Sequence, residues 1–501
     1  MNNRTKELIT ALLVFIAFIL LALNTTRYFG RIDMTETKEF TITDTTKAYI
    51  KTIPEQVNIT YFISDKVRNI APAAGQIEDL LFEYAANSRG HISTTSLDPS
   101  KTVNEAYAKK MGITAQQVEI YDRNELAYST VFSGILIQYL DKTVAIPFIL
   151  DPSNLEYEVS SKIQKLVENV TTKIGLLAGS NVNTVDYYYS YLNETMKKDG
   201  EVIIVNKGEP VDPEITVLFV LGNKDFTEGD MLYVDEYIMN GGRAVFALDG
   251  VEVDMSNNLK ATKLENNPAL EMLKKWGITI NNDMVLDKYC KKITMKGSLP
   301  MNYPMWLSIN SKFVNRDNPI TAGFASLDMM WASSIDLNPV PGLNYQELFT
   351  STNESWVLSD YLTGNPYEAF TTQNLVQESK GSHPLAYAVT GQFPSAFTDK
   401  VSKETKIIVA GDADFLSNLI EYTESPANLM FAENMLLWLD NDRFMNIKTR
   451  SVRDIRLNKI TDLSTKIRAI LAVYLVNILI IPVGIVTYGI VRYIRRKRKD
   501  A

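Results

Sequence analysis

Four short apolar runs decide how this chain is read: KIGLLAG (173–179), TVLFVLG (216–222), RAVFALDG (243–250) and KIIVAG (406–411). Each is nearly continuous in hydrophobic residues and ends in glycine, which suits a strand buried on both faces rather than one that alternates between core and water. Helical patterns stand between them, at Asp186–Lys198 and at Glu228–Met239, the second ending on Gly241-Gly242. Strands alternating with helices predict a parallel sheet covered on both sides, with ligands taken at the carboxyl ends of its strands. Two of the runs carry acids at that end: Asp249 follows RAVFAL, and Asp412 and Asp414 follow KIIVAG. If the two strands are neighbours, the three carboxylates converge on one acidic cleft able to bind a cation or a polar ligand. The plainer alternative is that Asp412 and Asp414 cap the next helix and satisfy backbone amides.

Upstream of this region the order differs. A short helix at 44–53 precedes the strand VNITYFIS (57–64), a helix over 76–87, the strand HISTTSL (91–97), a helix over 103–111, a hairpin of VFSGILIQYL (131–140) and TVAIPFIL (143–150), and a helix with Leu155, Val159, Ile163, Leu166 and Val170 on one face. This order resembles the thioredoxin topology, without the paired cysteines that would make it redox-active. Between about Val251 and Ser382 lies an Asn- and Pro-rich excursion with one clear helix, Ala269–Trp276.

The two ends of the chain read as membrane segments. LITALLVFIAFILLAL (8–23) is uncharged and follows Arg4 and Lys6; as a helix it covers roughly 24 Å, enough to anchor with Asn24, Thr25 and Thr26 at the interface. A cleaved signal peptide is the rival reading, and the lack of a small-x-small site around Ala22-Leu23-Asn24 favours the uncleaved anchor. AILAVYLVNILIIPVGIVTYGIV (469–491) spans about 34 Å, and Arg492, Arg495, Arg496, Lys497, Arg498 and Lys499 follow it directly, as cytoplasmic stop signals do. Both termini are thereby expected in the cytoplasm, with the main body outside a cytoplasmic (inner) membrane crossed twice. Asn477, Pro482, Gly484 and Gly489 would let this second helix approach a partner helix closely.

The expected division is therefore an anchor (1–32), a thioredoxin-like-order α/β domain (33–171), a Rossmann-like α/β domain with a long insertion (172–445), and a juxtamembrane segment, transmembrane helix and basic tail (446–501). Composition agrees with a mostly folded, non-repetitive chain: 501 residues, 46% hydrophobic, 22% charged. A mean hydropathy of -0.08 is too low for a multi-pass protein. The net charge is -8, and the last ten residues contribute +5, leaving -13 on the rest. An acidic body has no basic face for nucleic acid.

Several chemistries are absent from the sequence. It contains no GxxxxGK[ST], GxGxxG or GxSxG, so it carries no P-loop, dinucleotide cradle or nucleophile elbow, and no cofactor is expected. Ser180 follows a strand without the elbow's glycines and reads as a loop serine. A single cysteine, Cys290, excludes an intramolecular disulfide, and two histidines, His91 and His383, leave little for a His-based metal site or triad.

RIDMTETKEFTITDTT (31–46), NGGRAVFALD (240–249), PLAYAVTGQFPSAF (384–397), VAGDADFLSN (409–418), ENMLLWL (433–439) and IPVGIVTYGIVRYIRRKRK (481–499) together resemble the auxiliary component of an ABC transport system in the gliding-motility GldG family. The resemblance implies a non-catalytic subunit that works with an ABC permease and a separate P-loop ATPase, its outer body contacting permease or cargo. The second domain also resembles, more loosely, the class I glutamine amidotransferase-like fold, whose chemistry needs a cysteine on a strand-helix elbow; Cys290 sits in DKYCKKI instead. Two other functions remain open from sequence alone: an extracytoplasmic envelope hydrolase using Asp412 and Asp414 as acid and base, and a membrane-anchored surface scaffold or sensor.

Overall fold

The computed structural model describes residues 41–448, apart from 71, 100–101, 123–124, 153, 170, 295–298, 322–325, 361, 369–378, 424–426 and 441–442, together with Arg468, Tyr488 and Gly489. The chain divides into a unit ending at Val452 and another beginning at Arg453. In the second unit Arg468, Tyr488 and Gly489 are helical and exposed. The two apolar segments at 8–23 and 469–491 lie outside the described residues except for Tyr488 and Gly489. Among the described residues no helix is long and apolar enough to cross a membrane.

The first unit opens with α1 (Asp44–Ile50), capped by the Thr43 hydroxyl, which accepts from the Thr46 amide. Strand β1 (Val57–Ile63) follows, then α2 (Asp65–Ile70), α3 (Pro72–Asn87), β2 (Ile92–Leu97), α4 (Thr102–Lys110) and a hairpin of β3 (Gln116–Asp122) and β4 (Glu125–Val131). Strands β5 (Ser133–Tyr139) and β6 (Lys142–Ile146) and helix α5 (Leu155–Glu168) complete this part. Its four-stranded sheet has the order β2-β1-β5-β6, with β1 parallel to β2 and antiparallel to β5. The β3–β4 hairpin pairs only with itself.

The larger sheet starts with β7 (Lys173–Ala178), then α6 (Val185–Tyr188), α7 (Ser190–Met196), β8 (Glu201–Val205), β9 (Val217–Leu221), α8 (Glu228–Met239) and β10 (Arg243–Ala247). Helix α8 is framed by chemistry visible in its sequence. A capping box joins Thr227 and Asp230 at its start, and Gly241, at φ 94°, turns the chain out of it. Helix α9 (Pro268–Lys275) follows in the long insertion, which later sends an edge strand, β11 (Leu343–Thr350), and its partner β12 (Pro384–Gly391) back to the sheet before β13 (Thr405–Ala410). The order is β11-β12-β13-β10-β9-β7-β8. Five strands, from β8 to β13, run parallel; β12 is antiparallel to β13 and to β11. The mixed edge arises because β12 and β13 are joined through a short excursion that reverses the chain, with no crossover helix between them.

Alternation along the buried strands sorts their side chains onto two faces. Val217, Phe219, Leu221, Val245, Ala247, Ile408 and Ala410 face one core, under α6, α7 and α10 (Ala427–Leu439). Leu218, Val220, Ala244, Phe246, Ile407 and Val409 face the other, under α8 and α9. The first core continues through Leu155, Val159 and Ile163 of α5 to Ile59, Tyr61, Ile135 and Ile137 of the smaller sheet. Phe444, just before α11 (Met445–Lys448), closes that junction edge-on against Tyr49, with ring centroids 5.3 Å apart. The two sheets therefore share one continuous apolar interior.

The second core is organised by Trp276, 0% exposed, packed edge-on against Phe246 at 5.7 Å and Phe393 at 5.3 Å. Its indole Nε1 donates to the Pro394 carbonyl at 2.8 Å, so the one polar atom of the ring is satisfied. Trp276→Ala removes this packing and is expected to cost about 3–5 kcal/mol, read as a lowered denaturation midpoint of the purified full-length protein; an unchanged midpoint would contradict this placement of the core.

Candidate functional site

The parallel sheet determines where a crevice opens. From β7 the chain leaves into α6 and α7, which pack on one face; from the adjacent β9 it leaves into α8, which packs on the other. Neighbouring strands whose exits diverge to opposite faces leave a gap at their carboxyl ends, the usual ligand position in open α/β sheets. Close backbone approach accompanies the divergence. The Gly179 amide donates to Leu221 O at 2.9 Å, and a Cβ on Gly179 would come within 2.4 Å of the Gly222 carbonyl, while Gly222 itself has φ 69°.

The acidic groups at this edge come from strand exits. Asp249 follows β10, and Asp412 and Asp414 follow β13; one carboxylate oxygen of each lies within 4.8 Å of the others. From sequence, Asp412 and Asp414 are expected to act as a pair only if a turn brings them together. Here a 3₁₀ turn over Asp414–Leu416 folds the chain back and brings the two side chains together. The capping role is also present: Asp412 Oδ1 accepts from the amides of Asp414 at 2.6 Å and Phe415 at 3.1 Å, and its Oδ2 accepts from the Met330 amide at 2.8 Å. Convergence and capping coexist in the same residue.

Asp249 is tied to this turn through Oδ1, which accepts from the Ala413 amide at 2.7 Å. Its backbone is clamped by Asn223 at the exit of β9, whose side chain accepts from the Asp249 amide at 2.8 Å and donates to its carbonyl at 3.0 Å. Asp414 Oδ1 accepts from the Tyr188 hydroxyl at 2.8 Å. Tyr189, the next residue, is 2% exposed and breaks the helical segment into α6 and α7. Its hydroxyl lies 3.5 Å from where a Cβ on Gly222 would stand, and all three carboxylates act on it electrostatically. Tyr188, Tyr189 and Asn223 were not singled out by sequence; the available signals were the tyrosine run after β7 and an asparagine directly following TVLFVLG.

Electrostatics follow from burial. Asp412 is 0% exposed. Desolvation first, then the charges of Asp414 and Asp249, push its carboxyl well above the usual range; desolvation and Asp414 do the same to Asp249. Desolvation raises Asp414 to about 6 against the opposing bond from Tyr188, with Glu252 adding to the rise.

The other residues weighed from sequence sit apart from chemistry of this kind. Ser180 Oγ accepts from the amides of Val182 at 3.2 Å and Asn183 at 3.0 Å, a loop turn. Cys290 lies on a strand (Cys290–Ile293), its thiol pushed up by burial, which disfavours a reactive thiolate. His383 Nε2 meets the Ser379 carbonyl at 2.7 Å. Gly489 is helical; Asn477, Pro482, Gly484 and the six cations from Arg492 to Lys499 lie outside the described residues.

Raised carboxyls set the sign of the pH dependence. Between an unfolded value of about 3.9 and the raised folded values the native state binds more protons, so stability falls as pH rises through this window and is regained on acidification. Asp235, Asp283 and Asp440, also raised, act in the same direction. With chelator present, Tm is expected to climb by a few degrees from about pH 7.5 to about pH 5.5; a monotonic fall over that range would contradict the burial of charge in the crevice.

Comparison with known proteins places this architecture. A family profile described as an ABC-type uncharacterized transport system matches residues 171–447, and one described as a domain of unknown function matches residues 36–138. An uncharacterized protein of Borreliella burgdorferi is 28% identical over 510 residues, covering the whole of both chains. Among solved structures, a putative ThuA-like protein from Parabacteroides merdae aligns with a TM-score of 0.28 at 11% identity, over 54% of this chain and 90% of that one. A cold-adapted β-galactosidase from Rahnella sp. R3 aligns with a TM-score of 0.27 at 12% identity, over 57% and 35%. Likeness at these scores carries no argument about activity. The profile match takes in the whole seven-stranded sheet, its insertion and α10, more than half of the sequence, and the chain belongs to the ABC-type uncharacterized transport system family of auxiliary components.

Proposed function

We propose that this chain is a non-catalytic auxiliary subunit of an ABC transporter, held in the cytoplasmic membrane by residues 8–23 and 469–491, with the two-sheet body on the outer side in contact with the permease or its cargo. The observation that carries the reading is the family match over 171–447, the stretch that builds the larger sheet and its crevice. The sequence supports it independently, because it has no P-loop and so leaves nucleotide hydrolysis to a separate ATPase. The ordered resemblance of its motifs to the GldG-type auxiliary component points to the same class. The basic run from Arg492 to Lys499 supports a cytoplasmic C-terminus, and parity of two spans then puts the N-terminus on the same side.

Hydrolysis by Asp412 and Asp414 finds no support in the geometry. A general acid must reach the bond it protonates. Asp412 is 0% exposed, and both of its oxygens accept backbone amides. A scaffold or sensor role is compatible with the same body but has no observation in its favour comparable to the family match.

Affinity purification of the full-length protein, solubilised in mild detergent, is expected to recover a membrane permease and a P-loop ATPase in fixed ratio. Recovery of the chain alone, under conditions that keep other transporters assembled, would count against the subunit assignment. Topology has its own check. Protease added to intact spheroplasts is expected to digest the body and spare an epitope placed after Lys499; protection of the body would reverse the assigned orientation.

A further inference from the structure

We propose that the crevice at the carboxyl edge of the larger sheet is a binding site for a hard divalent cation, held by Asp249, Asp412 and Asp414. Three carboxylates within 4.8 Å of one another, Asp412 fully buried and Asp249 and Asp414 part-buried, place up to three negative charges side by side. The neighbouring charge of Glu252 adds to the repulsion instead of relieving it, acting on both Asp249 and Asp414 with the same sign. The nearby cation Lys224 is paired with Glu252. Among the described residues none of the three forms an ion pair with a lysine or arginine. A divalent ion at their centre removes the repulsion.

The lone-pair count leaves room for that ion. The ionised carboxylate offers about four acceptor positions. Asp249 and Asp414 each use Oδ1 for one protein donor, leaving Oδ2 open, and Asp412 takes three backbone amides. Three monodentate oxygens, with water filling the remaining positions, match the coordination of Mg²⁺, Mn²⁺ or Ca²⁺. No nitrogen or sulfur donor joins the set, which disfavours softer metals.

Tyr189 is the second, independent observation. Its side chain is 2% exposed, its hydroxyl lies beside the turn that carries Asp412 and Asp414, 3.5 Å from the Cβ position of Gly222 with the Ala413 Cβ 4.0 Å from the same point, and it makes no hydrogen bond to any described residue. The Tyr189 side chain is buried, but its hydroxyl has no protein partner and stands at the crevice, leaving it to a water or a ligand held there. A water ligand of the cation would supply that partner, donating one O–H to the phenol oxygen of Tyr189. Tyr188 meanwhile fixes Asp414 from the same break between α6 and α7.

The test uses the full-length protein in detergent, stripped with chelator and titrated calorimetrically with MnCl₂, CaCl₂ and MgCl₂ in turn. At least one ion is expected to bind at one site per chain and to raise Tm. Asp249→Asn and Asp414→Asn are each expected to weaken binding roughly a hundredfold, and Tyr189→Phe roughly tenfold with the site retained. The two Asp→Asn variants should at the same time melt higher than the wild type in chelator, because each removes a repelling charge; this opposite sign separates loss of the ion from loss of the fold. Absence of both saturable heat and Tm shift with all three ions at millimolar concentration overturns the proposal, and so does binding that both Asp→Asn variants leave unchanged.

Discussion

Charge gathered at the carboxyl ends of two strands is the constraint around which the larger sheet is arranged. Asp249, Asp412 and Asp414 lie at the exits of two adjacent parallel strands, β10 and β13. A buried carboxylate is tolerated only where donors are fixed in advance, since the side chain cannot recruit water. The backbone supplies them: the amides of Ala413, Asp414, Phe415 and Met330 all point at these acids. Met330 ends a strand of the long insertion, so the excursion closes over the site as well as extending the sheet. Asn428 of α10 reinforces that closure, accepting from the Asp328 amide at 3.1 Å and donating to the carbonyls of Asp328 and Phe415, each at 2.7 Å.

The opposite edge of the same sheet carries the opposite charge. Arg243 and Lys406 stand at the starts of β10 and β13, where α10 ends. Arg243 donates to the Leu439 carbonyl at 2.8 Å, and Lys406 donates to the Trp438 carbonyl while its ammonium lies 4.4 Å from the Trp438 ring centroid. Two cations thus satisfy carbonyls that the last turn of α10 leaves without helical partners, at the end where its dipole is negative. Burial, with Arg243 nearby, lowers Lys406 to about 8. One helix and two strands therefore run between a cationic edge and an anionic one, and packing on both faces of the strands holds the two edges apart.

Much of this was legible in the amino-acid order because strands buried on both faces leave an unbroken apolar run. KIGLLAG, TVLFVLG, RAVFALDG and KIIVAG correspond to β7, β9, β10 and β13, and the acids following two of them were visible as a possible cleft. Strand β11 was not, since LNYQELFT alternates exposed and covered residues as an edge strand and joins the sheet through pairing with β12, with two register shifts. The β3–β4 hairpin was missed for a related reason: QQVEIYD and ELAYSTV are polar runs that pair only with each other. Residues 186–198 carry a continuous helical pattern, yet the chain breaks it at Tyr189, and the break is what turns two tyrosines toward the acids. No local preference announces such a break; it is imposed by the tertiary packing of Tyr188, Leu192 and Met196 against the sheet.

Anomalous scattering addresses the arrangement of charge most directly. Crystals of the full-length chain grown with Mn²⁺ are predicted to show one anomalous peak inside the triangle of Asp249, Asp412 and Asp414, at roughly 2.0–2.6 Å from an oxygen of each, with a water between the ion and the Tyr189 hydroxyl. A crevice without an anomalous peak, its carboxyl groups bonded directly to one another through shared protons while Mn²⁺ is present in the crystal, would contradict the account.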